Sequence, residues 1–245
     1  MRSARIALLL AAFAAPALAA AGLREGYDAY QLGQYDRALE EFLPLAGRND
    51  VVASYYLGLM LLEGRGVTRS VEEGLRWLRR AADGGHTVAQ LKLAELYEAG
   101  EAVGQDYRAA AHWMQESAYG GNADAQYYLG MYYRLGQGVV QEDAQAYEWV
   151  HRSVEYELAH MTVLDALMYL GAANEWGRGR RQDLVEAYKW YSLAAGYSSD
   201  DVRMYTEAGR AMDALRLRIS AAEMAEASRR ARAWREEKEQ ISAAQ

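Results

Sequence analysis

The sequence predicts an all-α chain of stacked helix pairs, and three observations carry that prediction. Four tryptophans, Trp77, Trp113, Trp149 and Trp190, recur at separations of 36, 36 and 41 residues. Leu57, Leu93, Leu129 and Leu170 keep the same spacing, as do Gly74, Ala110, Ala146 and Ala187. Self-similarity with a period of roughly 20–50 residues marks a solenoid, propeller or array. Composition selects among these: 2 prolines and 2 phenylalanines stand against 19 tyrosines and 6 tryptophans in 245 residues. A β-sandwich would need turn prolines and β-branched runs, whereas amphipathic aromatic contacts suit packed helices.

The first segment reads as separate from the fold. Arg2 and Arg5 precede an apolar stretch from Ile6 to Ala15, and Ala17 and Ala19 stand at the −3 and −1 positions of a cleavage site. This is the layout of a secretory signal peptide over residues 1–19, too short to span a bilayer. The competing reading is an alanine-rich first helix. Cleavage after Ala19 removes two arginines and takes the formal charge from −7 to −9. An acidic chain is a poor partner for nucleic acid, where phosphate neutralisation needs a basic surface. No cysteine is present, which removes disulfides, thiolate metal sites and an acylated-cysteine anchor. No later apolar run reaches the length of a membrane span, so no membrane insertion is expected after signal cleavage.

Within each repeat, two helices can be read. In the second, Ala89, Leu93, Ala94 and Tyr97 share one helical face, and Gly100 follows where a left-handed residue would end it. Asp106 is then a candidate N-cap for a second helix carrying Ala109, Ala110, Trp113 and Ala118, stopped by Gly120-Gly121. Ser70 with Glu73, Asp183 with Glu186 and Ser220 with Glu223 have the spacing of reciprocal capping pairs. The third unit lacks the terminal glycine, and the five extra residues before Leu170 are expected as a longer second helix or loop. After Gly196, a helix from Tyr205 to Leu217 and a last one bearing Met224, Ala227, Ala231 and Trp234 are expected to close the array. The polar tail from Glu236 to Gln245 is expected to fray.

These motifs closely resemble the Sel-one-like repeat (SLR) family, a branch of the tetratricopeptide-like α/α solenoids. Quoted as they stand, the first unit runs Ala53, Leu57-Gly58, Gly64-Arg65-Gly66-Val67, Gly74, Trp77, Ala81-Ala82 and Gly84. The third runs Ala125, Leu129-Gly130, Tyr133, Gly136-Gln137-Gly138-Val139, Ala146 and Trp149. Departures are Ala94 for Gly, Gly100-Glu101-Ala102 for the G-x-G loop, Asn174 for Tyr and Arg180 for Val. The resemblance implies a right-handed α/α superhelical solenoid. Its expected parts are a divergent tetratricopeptide-like helix pair at 22–48, units at 50–85, 86–121, 122–157 and 158–197, and C-terminal capping helices at 200–235.

Little in the sequence reads as chemistry. His86, His112, His151 and His160 form no pair at metal-ligand spacing, so no metal is expected. There is no G-x-S-x-G elbow and no serine followed three residues later by lysine. The glycine-rich loops lack the lysine and preceding strand of a phosphate loop, so no catalytic residue and no cofactor is expected. Glu72-Glu73 and Glu142-Asp143 fall at starts of second helices, where capping explains them. Arg178, Arg180 and Arg181 cluster in one inter-helix loop, which reads as a solvated loop or as a contact for an acidic partner.

The resemblance places binding on first-helix residues that the repeat frame does not use. These are Tyr55, Leu59, Leu62, Leu91, Glu95, Glu98, Tyr127, Met131, Arg134, Met168 and Glu175. Arg134, among tyrosines and a methionine, is the expected anchor for a carboxylate or backbone. The alternative is burial of these side chains between neighbouring first helices. By resemblance the chain is expected to be non-enzymatic and exported to the periplasm, an adaptor that binds a protein or peptide segment. One concrete form of that partner is the periplasmic domain of a membrane protein. The alternative is a peptidoglycan-associated or β-lactam-processing protein of the same repeat type.

Overall fold

The computed structural model describes residues 20–100, 102–155, 162–197 and 202–243. The expected signal segment 1–19, Glu101, His160 and the last two residues lie outside them. Every regular element among the described residues is helical. The chain divides into two compact units, one up to Gln105 and one from Asp106. The division falls just after the one repeat loop that lacks the second glycine of the G-x-G motif.

The first unit holds α1 (20–31), α2 (Tyr35–Gly47), α3 (Val51–Glu63), α4 (Val71–Asp83) and α5 (Thr87–Ala99). From α2 onward, each helix packs on the next. Phe42 is fully buried at the centre with Ala38, Leu57 and Met60, and its ring stacks on Tyr56 at 5.0 Å. The second unit holds α6 (Tyr107–Tyr119), α7 (Ala123–Leu135), α8 (Asp143–Ser153), α9 (Val163–Trp176), α10 (Leu184–Tyr197), α11 (Val202–Arg216) and α12 (Ala221–Ala243). Its core joins Val150, Leu167, Leu170, Trp190 and Leu193, and α12 returns onto α10 to cover it with Ala231 and Trp234.

The repeat is visible in the caps. Asp50, His86 and Asn122, spaced 36 residues apart, accept the amides of Ala53, Ala89 and Ala125 at 2.9, 3.1 and 2.8 Å. Each satisfies one of the amides that a helix start leaves without an intrahelical acceptor. The paired helices also approach closely. A Cβ on Gly130 would lie 2.5 Å from Val150 Cγ2, so only glycine lets α7 and α8 cross there. Gly138 combines a φ of 67° with a position where a Cβ would sit 1.9 Å from the Tyr107 carbonyl. The second glycine of that loop therefore seats it on the start of α6.

The structure corrects several expectations. Of the two expectations for the five extra residues, a longer second helix or a loop, the helix does not hold: α8 stops at Ser153 with 11 residues, and α9 starts at Val163. The polar tail continues the last helix through its described residues: α12 runs to Ala243 and buries Lys238 beside the Trp234 ring at 5.6 Å. Of the three capping pairs only Ser220 and Glu223 are reciprocal, with bonds of 2.7 and 3.3 Å. Ser70 and Asp183 cap their helices, but Glu73 turns to Arg76 and Glu186 turns to Lys189. No described helix is long and apolar enough to cross a membrane.

Candidate functional site

Residues two before and two after the frame leucine of a first helix, together with the one five after it, share a helical face. In α7 these are Tyr127, Met131 and Arg134. The same face of α9 presents Met168 and Ala172, with Glu175 one turn further on. In the second unit, Tyr127, Met131, Arg134 and Met168 converge on one cavity of about 270 Å³ between α7 and α9. Asp165, Tyr169, Ala172, Ala173 and Arg178 complete its lining.

Electrostatically the cavity belongs to its two arginines. Neither Arg134 nor Arg178 pairs with a carboxylate among the described residues, and the Arg134 guanidinium lies 6.0 Å from the centre of the Tyr169 ring. Arg134 Nε and the Tyr169 hydroxyl are both buried without a hydrogen-bond partner. Burial pushes the Tyr169 hydroxyl up to about 12, with Asp143 adding to the shift and Arg134 and Arg178 opposing it. Tyr127 is also pushed up to about 12 by burial, with Asp165 reinforcing and Arg134 opposing. Both phenols thus stay protonated donors at neutral pH.

The other sequence-selected residues do not join this cavity. Glu175 is 7% exposed and held inside the protein: the Tyr191 hydroxyl donates to Oε2 at 3.1 Å and Arg218 to Oε1 at 2.5 Å. Burial and Glu175 together hold Tyr191 far above the usual phenol range. Leu91 is in the core at 8% exposure. Neither side chain is presented to a partner, which corrects the expectation for these two. In the first unit Tyr55 is half-buried and stacks on the His86 ring at 4.9 Å, and burial pushes its hydroxyl up to about 12. Leu59, Leu62 and Glu98 are half-buried, and Glu95 is exposed and paired with Lys92 at 2.9 Å.

Sequence reasoning missed Asp165 and Tyr169, which lie off the chosen register, and read Arg178 as part of a solvated loop or of a contact for an acidic partner. Its neighbours do behave structurally. Arg180 bonds the Tyr147 hydroxyl and lies 4.6 Å over that ring. Arg180 and Arg181 line a second depression of about 480 Å³ with Arg218, Asp183 and Glu223. Arg218 there is committed to Glu175, while Asp183 and Glu223 bond the starts of α10 and α12, so this depression is a helix junction. No group of three or more His, Asp or Glu side chains able to hold a metal occurs among the described residues.

The Sel1 repeat profile matches residues 51–86, 87–122, 123–155 and 164–195, more than half of the chain. The chain belongs to the Sel1 repeat family. Among solved structures, a Sel1 repeat protein from Oxalobacter formigenes is 29% identical, with a TM-score of 0.67 over 87% of each chain. The antigen c5321, a protective antigen of uropathogenic Escherichia coli strains with an SLR fold, is 22% identical with a TM-score of 0.50. That match covers 89% of this chain and 53% of the antigen, and it speaks to the fold alone. No curated protein matches significantly. Sel1 repeats are scaffolds for protein–protein interaction, so this Sel1-repeat protein is an all-α interaction scaffold.

Proposed function

We propose that this Sel1-repeat protein is an exported, non-enzymatic adaptor of the bacterial cell envelope that binds a segment of a partner protein on the α7–α9 face. The observation that supports it most directly is the convergence of Tyr127, Met131, Arg134 and Met168, none a repeat-consensus position, on one cavity whose floor is the core against which the first two and Met168 pack. Tyrosine and arginine at such positions are the residue types that dominate protein interfaces. Export rests on the charged, apolar and small-residue layout of positions 1–19.

In-cell photo-crosslinking tests the reading. A crosslinker at position 127 is expected to give a discrete protein adduct, and one at the exposed Arg152 on α8 is expected to give none. Attachment to glycan, or no product specific to position 127, would overturn it. For export, N-terminal sequencing of the cell-fractionated protein should find Ala20 first in the periplasmic fraction.

A further inference from the structure

The repeat supplies its own control for the unpaired charges of the α7–α9 cavity. Five residues beyond the frame leucine stand Leu62, Glu98, Arg134 and Glu175. Glu175 is fully used by Tyr191 and Arg218, whereas Arg134 has no carboxylate and leaves Nε buried without an acceptor. Eight residues beyond the leucine, Arg65 and Arg178 correspond. Arg65 pairs with Glu63 at 2.5 Å and donates to the Tyr30 hydroxyl at 3.1 Å, whereas Arg178 pairs with nothing among the described residues. Glu175 and Arg65 are thus satisfied internally. At this cavity Arg134 Nε and the Tyr169 hydroxyl are buried without a partner beside the exposed, carboxylate-free Arg178, and buried polar groups in native proteins call for a partner.

The missing acceptor is an anion, and the cavity limits which one. Its volume of about 270 Å³ lies just below the range typical of drug-sized ligand sites, which suits a single residue. Among the lining residues two arginines stand against Asp165, and Asp143 also acts on Tyr169, a balance that suits a monoanion better than a phosphate dianion. Met131, Met168 and Ala172 require hydrocarbon beside that charge. An internal acidic side chain would carry continuing polar backbone over this apolar wall. A chain terminus instead carries a carboxylate and an apolar side chain on one carbon.

We infer that this cavity captures the C-terminal residue of a partner polypeptide, its main-chain carboxylate between Arg134 and Arg178 and its apolar side chain against Met131 and Met168. The Tyr169 hydroxyl donates to the same carboxylate, and Asp165 accepts the terminal residue's amide N–H. Charge-assisted bonds from planar guanidinium groups suit a carboxylate, and capture of a terminal carboxylate is a recurring mode of peptide recognition. The inference rests on the adaptor reading and adds the chemistry of the partner.

The test presents the mature full-length protein with a random hexapeptide library bearing free C-termini, the same library as C-terminal amides, and acetyl-lysyl-D-alanyl-D-alanine. Binders are expected from the free-acid library alone, with an apolar last residue and affinity reduced by about tenfold or more on amidation. Arg134→Gln and Arg178→Gln should each weaken binding by about tenfold, while Arg65→Gln leaves it unchanged. Equal binding of acids and amides, or no binding by any free-acid peptide, would overturn the inference. So would preference for the D-alanyl peptide, which would make the occupant a wall peptide. The acid–amide comparison needs no mutation and stands even if a variant unfolds. A protein adduct at position 127 together with indifference to amidation would sink this inference and leave the adaptor reading standing. Loss of that adduct would sink the adaptor reading itself.

Discussion

Trp190 and Trp113 hold the same place in the repeat, and the protein treats them differently. Trp190 is fully buried, with the edges of His151 and Trp234 at 5.6 and 5.5 Å and Lys189 Nζ 3.9 Å from its ring centre. Trp113 is half-buried, and its ring neighbour at 5.1 Å is the exposed His112. Trp149 is 4% exposed and resembles Trp190, while Trp77 is half-buried like Trp113. The spacing of the motif therefore says which residue type stands at a position. What lies over that residue, such as α12 returning onto α10, decides how much energy it carries.

The largest expected effect sharpens this contrast. Trp190→Ala removes a side chain with no exposure and should cost about 3–5 kcal/mol. For a chain of this size each kcal/mol moves Tm by about 2–4 °C, so a fall of roughly 6–20 °C is expected. Trp113→Ala, already in contact with water, should cost about 1–2 kcal/mol. Thermal melts of the two variants decide. Equal falls would show that the repeat frame, and not the covering helix, sets the weight. A fall under about 2 °C for Trp113→Ala would remove it from the core.

A second pair of equivalent positions gives the next effect. Glu175 is a buried charge whose removal from its partner should hurt the fold, and Arg134 is a half-buried one with no ion-pair partner to lose. Arg218→Ala leaves the Glu175 carboxylate buried with the Tyr191 hydroxyl alone. The Arg218 side chain is 35% exposed, so solvent screens part of the loss and about 1–3 kcal/mol is expected. Arg134→Gln should change stability by under about 0.5 kcal/mol. Urea unfolding of both checks this. A larger loss from Arg134→Gln would make it a structural residue and undermine the cavity as a binding site.

These pairs also show what the sequence made legible. The all-α class, the helix pairs and the caps at Ser70, Asp106, Asp183 and Ser220 follow from spacing, because they depend on contacts within a few residues. Four cavity residues were legible for the same reason, since one helical face is a local property. Tyr169 was not, because it lies off that face, and Arg178 was legible only as a loop arginine, solvated or open to an acidic partner. Glu175 and Leu91 were placed outward by register and are buried by long-range contacts, Glu175 by Arg218, 43 residues away. The buried clamps Gln90 to the Ala82 carbonyl and Gln126 to the Ala118 carbonyl, at 3.0 and 3.1 Å, had a signal that went unread. Both glutamines lie one residue after the frame alanine, in successive repeats.

The smallest effect separates the cap at His86 from its repeat equivalents Asp50 and Asn122. His86 accepts through Nδ1, so only the neutral ring caps α5, and a protonated ring would also set positive charge against the helix N-terminus. Burial lowers its pKa from 6.5, with Asp50 opposing, and the Tyr55 ring stacks on the other side. A folded-state pKa below the unfolded one means that the unfolded chain binds the proton first. The cap's contribution is therefore complete above pH 6.5 and is lost as pH falls from there through the folded-state value. His151, also lowered by burial, acts in the same direction. Losing an N-cap acceptor costs about 0.5–1 kcal/mol, so the urea midpoint should drop modestly between about pH 7.5 and 5.5. His86→Asn copies the cap that Asn122 already supplies to α7 and does not titrate, so it should remove the His86 share and leave that of His151. An undiminished drop in His86→Asn would assign the whole pH dependence elsewhere and make the three caps equivalent after all.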